Sequence, residues 1–226
     1  MELWRLLGVT PGLTAVIGSG GKTTLLRVLA RELSSRGTVL LATTTHILRP
    51  DWCPFAAAED ELRQGFRDSP IVCAGAYTPE GKLTAPDFPG WQHAADFVLV
   101  EADGSKRLPA KAHAPWEPVL PPERSRTVCV FGASALGRPI QDAAHRPERY
   151  APLAEAAPDT VITPEIAARV LAKEGGFDVL LVNQADTLAN PAALLHPFAA
   201  LPCPVIYGAL DKGQWAALTE QSTERM

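Results

Sequence analysis

Residues 13 to 29 read Leu13-Thr-Ala-Val-Ile-Gly-Ser-Gly-Gly-Lys-Thr-Thr-Leu-Leu-Arg-Val-Leu29, an apolar run that enters a glycine cluster and leaves as an amphipathic helix. Strand, glycine turn and helix in that order are the layout of a phosphate-binding loop. Gly18, Gly20 and Gly21 let the backbone turn its N–H groups toward one point, and the helix that follows directs the positive end of its dipole there. An anion is expected at that point, cradled by Gly18, Ser19, Gly20, Gly21 and Lys22, with Thr24 closing the stretch. Lys22 would reach the terminal phosphates of a nucleoside triphosphate, and the Thr23 hydroxyl is placed to ligate Mg²⁺. The spacing is shorter than G-x-x-x-x-G-K-S/T, which needs glycine at position 16, where Val16 stands; what is present is Gly18-x-x-Gly21-Lys22-Thr23-Thr24. A bare glycine turn with a solvated lysine is the simpler alternative. The strand on one side and the helix on the other weigh against it.

The chain has 226 residues, 46% of them hydrophobic, enough for one sizeable α/β core and too few for two full enzyme domains. A single domain spanning 1–226 is expected. A net charge of −4 and the absence of any run of five basic residues argue against a nucleic-acid surface. The longest apolar stretches are strand-sized, and Met1-Glu-Leu-Trp-Arg5 lacks the basic start and apolar core of a signal peptide. A cytoplasmic protein with no membrane partner is the expectation. Cys53, Cys73, Cys129 and Cys203 are widely spaced with no C-x-x-C pair, which reads as free thiols rather than a zinc site or disulfide framework. Proline, at 21 residues, predicts many stiff connections.

Along the chain, a short lead-in helix or turn over 2–8 precedes a first strand at 13–17. The helix from Thr23 carries Leu25, Leu26, Leu29 and Leu33 at helical spacing and stops near Arg36-Gly37. A second strand over 38–42 ends in Thr43-Thr44-Thr45-His46, a row of hydroxyls at the carboxyl edge where an open α/β sheet meets ligand; β-branched residues finishing a strand would look the same. Residues 58–67 read as a helix, and 71–84 as a hairpin excursion turning at Thr78-Pro-Glu-Gly81. Further strands are expected over 97–100, 127–131, 178–182 and 204–207. Thr163-Pro164-Glu165 caps a helix, and 212–220 reads as a terminal one.

Two stretches beyond the phosphate loop carry chemistry. The buried run Phe97-Val-Leu-Val100 ends in Glu101-Ala-Asp103-Gly104-Ser105, so acidic groups emerge where the phosphate loop also emerges. With a period of two, Glu101 and Asp103 share a side, and either or both would hold Mg²⁺ directly or through water. Val182 is followed by Asn183-Gln184-Ala185-Asp186, similar to the guanine-recognition pattern N-K-x-D with glutamine for lysine. The proline-broken segment bearing Lys106, Arg107, Lys111 and His113 reads equally as a solvated loop or as a basic surface for the triphosphate or a second anionic substrate. His145-Arg146-Pro147-Glu148 is a dense polar cluster with no assigned role.

The short phosphate loop resembles that of the Mur ligases. Taken with Thr43-Thr-Thr-His46, Glu101-Ala-Asp-Gly-Ser105 and Asn183-Gln-Ala-Asp186, it resembles the selenium-dependent hydroxylase accessory family called YqeC, over most of the chain. The segment from Lys106 to Pro121, the His145 cluster and Ile162-Thr-Pro-Glu165 fall where that family has similar stretches. The resemblance implies a role in maturation of selenium-containing molybdenum hydroxylases, with the hydroxylase or its cofactor-maturation machinery as partner. Glu101-x-x-Gly104 with Asn183-x-x-Asp186 is also similar to the metallocentre-assembly GTPases.

The expected fold is P-loop NTPase-like α/β, a mostly parallel sheet with helices on both faces. The expected function is binding and slow hydrolysis of GTP or ATP with Mg²⁺, coupled to delivery of a cofactor component. A small-molecule kinase or ligase-like enzyme and a non-hydrolysing nucleotide-gated module are the alternatives. Lys22, Glu101 and Asp103 are the candidate catalytic residues; Thr23, Glu101 and Asp103 the candidate metal ligands; Asn183, Gln184 and Asp186 the candidate base contacts.

Overall fold

The computed structural model describes residues 1–219. A short helix α1 (Leu3–Leu6) leads into strand β1 (Gly12–Gly18) and helix α2 (Lys22–Leu33). There follow β2 (Val39–Thr43), β3 (Phe55–Ala56), α3 (Glu59–Asp68), β4 (Ile71–Ala74), and the pair β5 (Ala76–Tyr77) and β6 (Leu83–Thr84). Next come β7 (Phe97–Glu101), β8 (Ala110–Lys111), β9 (Arg124–Gly132), α4 (Ile140–Ala143), β10 (Ala144–His145), α5 (Pro147–Ala154) and α6 (Pro164–Glu174). The described chain closes with β11 (Val179–Asn183), α7 (Pro191–Leu194), β12 (Val205–Ala209) and β13 (Gln214–Ala217).

Nine strands form one sheet in the order β13-β12-β11-β9-β1-β7-β2-β4-β3, parallel except where β13 runs against β12. The fold is the α/β class the sequence predicts. From β1 the chain moves past β7 to β2 and outward; it returns through β7 and then crosses β1 to reach β9. The direction of winding therefore reverses beside β1, the position at which an open α/β sheet has its ligand crevice, here at the carboxyl ends of β1, β7 and β9.

Alternation along the central strands covers both faces of the sheet. Ile17, Phe131 and Val182 pack on one side with Tyr150, Phe198 and α6, whereas Val16, Val130 and Leu181 pack on the other with α2. Leu25, Leu29 and Leu33 of α2 are fully buried there, each contributing about 1.5–3 kcal/mol of hydrophobic stabilisation. That burial anchors the helix whose first turn faces the crevice. Thr163 caps α6 as its sequence predicts, its hydroxyl accepting from the Ile166 N–H at 3.3 Å.

Two expectations are corrected. Ile71–Ala74 belongs to the main sheet, parallel to β2, and the antiparallel hairpin is confined to β5 and β6 around the turn in which the Gly81 N–H bonds the Thr78 carbonyl at 2.9 Å. The expected terminal helix is instead a turn at Leu210–Lys212 followed by an edge strand; Glu220 lies outside the described residues. Gly213, at φ +65°, ends the turn, and Gly208 lets the edge strand close in, because a Cβ there would stand 2.2 Å from the Gln214 carbonyl. Pairing with β12 overrides the helical reading. Among the described residues no helix is long and apolar enough to cross a membrane.

Candidate functional site

The loop after β1 is shaped by contacts only glycine tolerates. A Cβ on Gly18 would meet the Val130 carbonyl at 2.2 Å, and one on Gly21, at φ +131°, would meet Asn183 Nδ2 at 2.3 Å. The loop is thus clamped between β9 and the end of β11. Ser19 donates its hydroxyl to the Leu108 carbonyl and its N–H to the Val130 carbonyl. Among the described residues none accepts a hydrogen bond from the N–H groups of Gly20, Gly21, Lys22 or Thr23. These donors stand at the positive end of a twelve-residue helix, the arrangement that attracts phosphate.

Lys22 is buried, and its ammonium donates to the Gly18 carbonyl at 2.7 Å and to Ser105 Oγ at 3.2 Å. It also lies 2.9 Å from Asp103 Oδ1 and 3.8 Å from Glu101 Oε1. The Thr23 hydroxyl is 3.3 Å from Glu101 Oε2. Thr43 does not present its hydroxyl to the crevice; it is buried and bonds the Glu101 carbonyl at 2.8 Å, fixing the end of β7. Thr24 is half-buried on the first turn of α2.

The two acids separate by environment. Burial raises the carboxyl of Glu101 above its ordinary range, with Asp103 adding to the effect and Lys22 opposing it. Burial acts in the same direction on Asp103 but is outweighed by Lys22, by the His113 hydrogen bond and by Lys111, which together hold that carboxyl well below the usual range. Asp103 Oδ2 accepts from the Gly18 N–H at 2.7 Å and lies 3.1 Å from Lys111 Nζ and 2.7 Å from His113 Nε2. Its Oδ1 meets Lys22 as an ion pair rather than as an aligned hydrogen bond. Asp103 is enclosed behind the loop; Glu101 stands at its mouth beside Thr23.

Asp103 is also the root of a wider ionic network. His113 bonds Glu174 through its other ring nitrogen, and these two partners raise its pKa against the opposing effect of burial. Lys111 reaches Glu117 Oε2 at 2.9 Å, and Glu117 takes Arg146 through both guanidinium nitrogens at 2.6 and 3.2 Å. The chain of charges runs from the glycine loop after β1 to the start of α5.

The stretch after β11 is divided in role. Asn183 is buried and donates to the Gly20 carbonyl at 2.8 Å while accepting from the Leu210 N–H at 3.0 Å, so it ties the glycine loop after β1 to the end of β12. Gln184, at φ +62°, accepts from the Ser134 hydroxyl at 2.6 Å. Asp186 is exposed and pairs with Lys212 at 2.9 Å.

The family model described as "YqeC protein" matches residues 14–148, more than half of the chain. The chain belongs to the YqeC family. A relative from Escherichia coli (strain K12), named "Uncharacterized protein YqeC", is 33% identical over 181 residues, covering 74% of this chain and 70% of its own. The matched span contains the glycine loop after β1, both acids, Lys111, His113, Arg146 and His145; Asn183 and Asp186 lie beyond the family model's match.

For magnesium, this YqeC-family site offers two hard oxygens, the Thr23 hydroxyl and the Glu101 carboxylate, at the open side of the loop. Among the described residues no cluster of three or more His, Cys, Asp or Glu side chains suited to a metal exists. The donor set fits an ion completed by phosphate oxygens and water, the usual habit of Mg²⁺, and does not resemble a closed protein cage. Sequence reasoning singled out Lys111 and His113 only as part of a basic loop. It missed Glu174 and Glu117, which lie 61 and 6 residues from those partners in sequence and carry no local motif.

Proposed function

We propose that this chain binds a nucleoside triphosphate at the loop of residues 18–24 and hydrolyses it slowly, in service of maturing a selenium-containing molybdenum hydroxylase. The observation that carries the nucleotide reading is the convergence of unpartnered N–H groups from Gly20 to Thr23, the Lys22 ammonium and the Thr23–Glu101 oxygens on one crevice. The hydroxylase client rests on the link of the YqeC family to that maturation.

The network explains how Lys22 is available to phosphate. When the ammonium turns toward a phosphate oxygen, Asp103 keeps the Gly18 N–H, Lys111 and His113, so no buried carboxylate is orphaned. The backbone donors then hold the β- and γ-phosphate oxygens, and Lys22 stabilises charge that grows on the transferred group. Thr23 and Glu101 would hold Mg²⁺, which when bound supplies Lewis-acid stabilisation of phosphate charge. Burial raises the carboxyl of Glu101, and an adjacent cation would favour its ionised form. Asp186 would accept the ring N1–H and amino group of guanine in place of its pairing with Lys212.

The test is phosphate release and product analysis with GTP and with ATP, in Mg²⁺, with and without the apo-hydroxylase. Slow release that the hydroxylase accelerates is expected. Tight binding with no release would support a gated module, and turnover only with an added small-molecule acceptor would support a kinase or ligase.

A further inference from the structure

The ribbon formed by β8 and β10 pairs Lys111 with His145 and Ala110 with Ala144. Its near end touches the phosphate loop, since Leu108 accepts the Ser19 hydroxyl and Pro109 accepts the Gly132 N–H at 2.9 Å. Beside the ribbon opens a cleft of about 520 Å³ lined by Lys106, Leu108, Gln141, His145, Arg146 and Glu148. That size is within the range of small-molecule sites. None of the nucleotide chemistry above uses it.

His145 is the feature that marks the cleft as a binding site. The residue is 9% exposed, it lines the cleft, and its ring nitrogens make no hydrogen bond with any described residue. Neither ring nitrogen is sealed from the cleft, so both are open to water or to a ligand there. The groups facing it are Lys111 from β8, Arg146 and Glu148 at the start of α5, Lys106 from the preceding loop and Glu117 across the ribbon. Lys106, Lys111 and Arg146 are cations set against the carboxylates of Glu117 and Glu148. Burial and the three cations lower the pKa of His145, with Glu117 opposing, so at neutral pH the ring is an uncharged donor in a positive field.

The backbone supports the same reading. Lys106, Arg107 and Arg146 have positive φ angles of 48°, 62° and 63°, a region non-glycine residues occupy at a cost and most often at functional sites. At Arg146 the surroundings that enforce it are visible: Glu117 grips its guanidinium, and Pro147 opens α5.

We propose that this cleft is a second ligand site that takes the phosphate or carboxylate end of a small molecule, with Lys106 and Arg146 attracting the oxyanion and His145 donating a hydrogen bond to it. The cleft is lined by Leu108, whose carbonyl accepts the Ser19 hydroxyl of the glycine loop, which places such a ligand beside the crevice as acceptor or effector. Filling it does not require nucleotide.

The test is ring-nitrogen NMR of the full chain, with the His145 signal assigned through His145→Gln. Inorganic phosphate and malonate are titrated separately at neutral pH. A saturable shift of the His145 ring with at least one probe is expected, weakened roughly three- to fivefold in Lys106→Gln, the scale of an exposed charge contact. Response to phosphate alone would assign a phosphate-bearing ligand, and response to malonate alone a carboxylate. Lys106 is exposed and has no hydrogen bond or ion pair with any described residue, so the fold should be undisturbed in that variant. No saturable shift with either probe, or a shift indifferent to Lys106→Gln, would overturn the proposal; the second result would mean that anion at the phosphate loop moves the ring from a distance. Loss of nucleotide binding in the wild type would leave the His145 response in place, so the two readings fail separately.

Discussion

The Lys22 ammonium lies 2.9 Å from Asp103 Oδ1 and 3.8 Å from Glu101 Oε1, so one cation is shared by two buried carboxylates. They are unequally secured by other donors. Asp103 has the Gly18 N–H, Lys111 and His113 besides, whereas Glu101 has the Thr23 hydroxyl. The first is built to stay charged, and the second has capacity left for a ligand.

Neutral substitutions at the two positions should therefore behave differently. Asp103→Asn removes the charge on which three cationic groups converge and should cost roughly 3–5 kcal/mol of stability, the range for breaking a buried pair. Glu101→Gln should alter stability by no more than about 1 kcal/mol, since burial already disfavours its charge, yet it should depress Mg²⁺-dependent phosphate release strongly while leaving nucleotide affinity nearly intact. Urea unfolding and a phosphate-release assay on both variants provide the check. Equal loss of stability in the two would contradict the division.

Stability should also depend on pH in a specified direction. The native pKa of Asp103 is lowered, so its contribution is present above about pH 4, its unfolded value, and is lost as pH falls through the native value. His113 is raised by Asp103 and Glu174, so its contribution is complete below about pH 6.5 and is lost as pH rises through the raised native value. Denaturant midpoints measured from pH 5 to 9 should fall on the alkaline side. His113→Gln should flatten that fall, and an unchanged slope would show that His113 does not carry it.

The glycine loop and its sheet are legible because their signals are local. Gly18, Gly20 and Gly21 mark a loop whose close contacts a Cβ would block, and the runs at 97–100 and 179–182 are continuous apolar strands. β4 reads as half of a hairpin because Gly75 and the turn at Thr78 lie beside it, and four residues do not reveal whether a strand pairs locally or with the distant Val39. α5 escaped notice because its start is a left-handed Arg146 and it contains Pro152. The ion network was invisible for a related reason. Asp103, Lys111, Glu117, Arg146 and Glu174 come together only once β7, β8 and α6 are packed, and no spacing in the chain announces that meeting.

Base choice supplies a further check. If Asp186 reads guanine, GTP should bind more tightly than ATP by roughly a hundredfold, from two hydrogen bonds to a carboxylate that adenine cannot replace. Asp186→Asn should move preference toward xanthosine triphosphate. Because Asp186 is exposed and, among the described residues, pairs with Lys212 alone, the substitution should leave the fold undisturbed. An unchanged ranking of the three nucleotides would remove Asp186 from the site.

The central claim is that residues 18–24 hold a triphosphate and that Lys22 exchanges its carboxylates for phosphate. Calorimetric titration of wild type and Lys22→Ala with GTP and ATP in Mg²⁺ tests it most directly. Charge-assisted hydrogen bonds of about 1.5–3 kcal/mol correspond to an affinity loss of roughly ten- to a hundredfold in the variant. Saturable wild-type binding weakened to that extent, with the variant still folded by circular dichroism, is the expected result. Absence of binding in the wild type, or equal affinity in a folded variant, would contradict it.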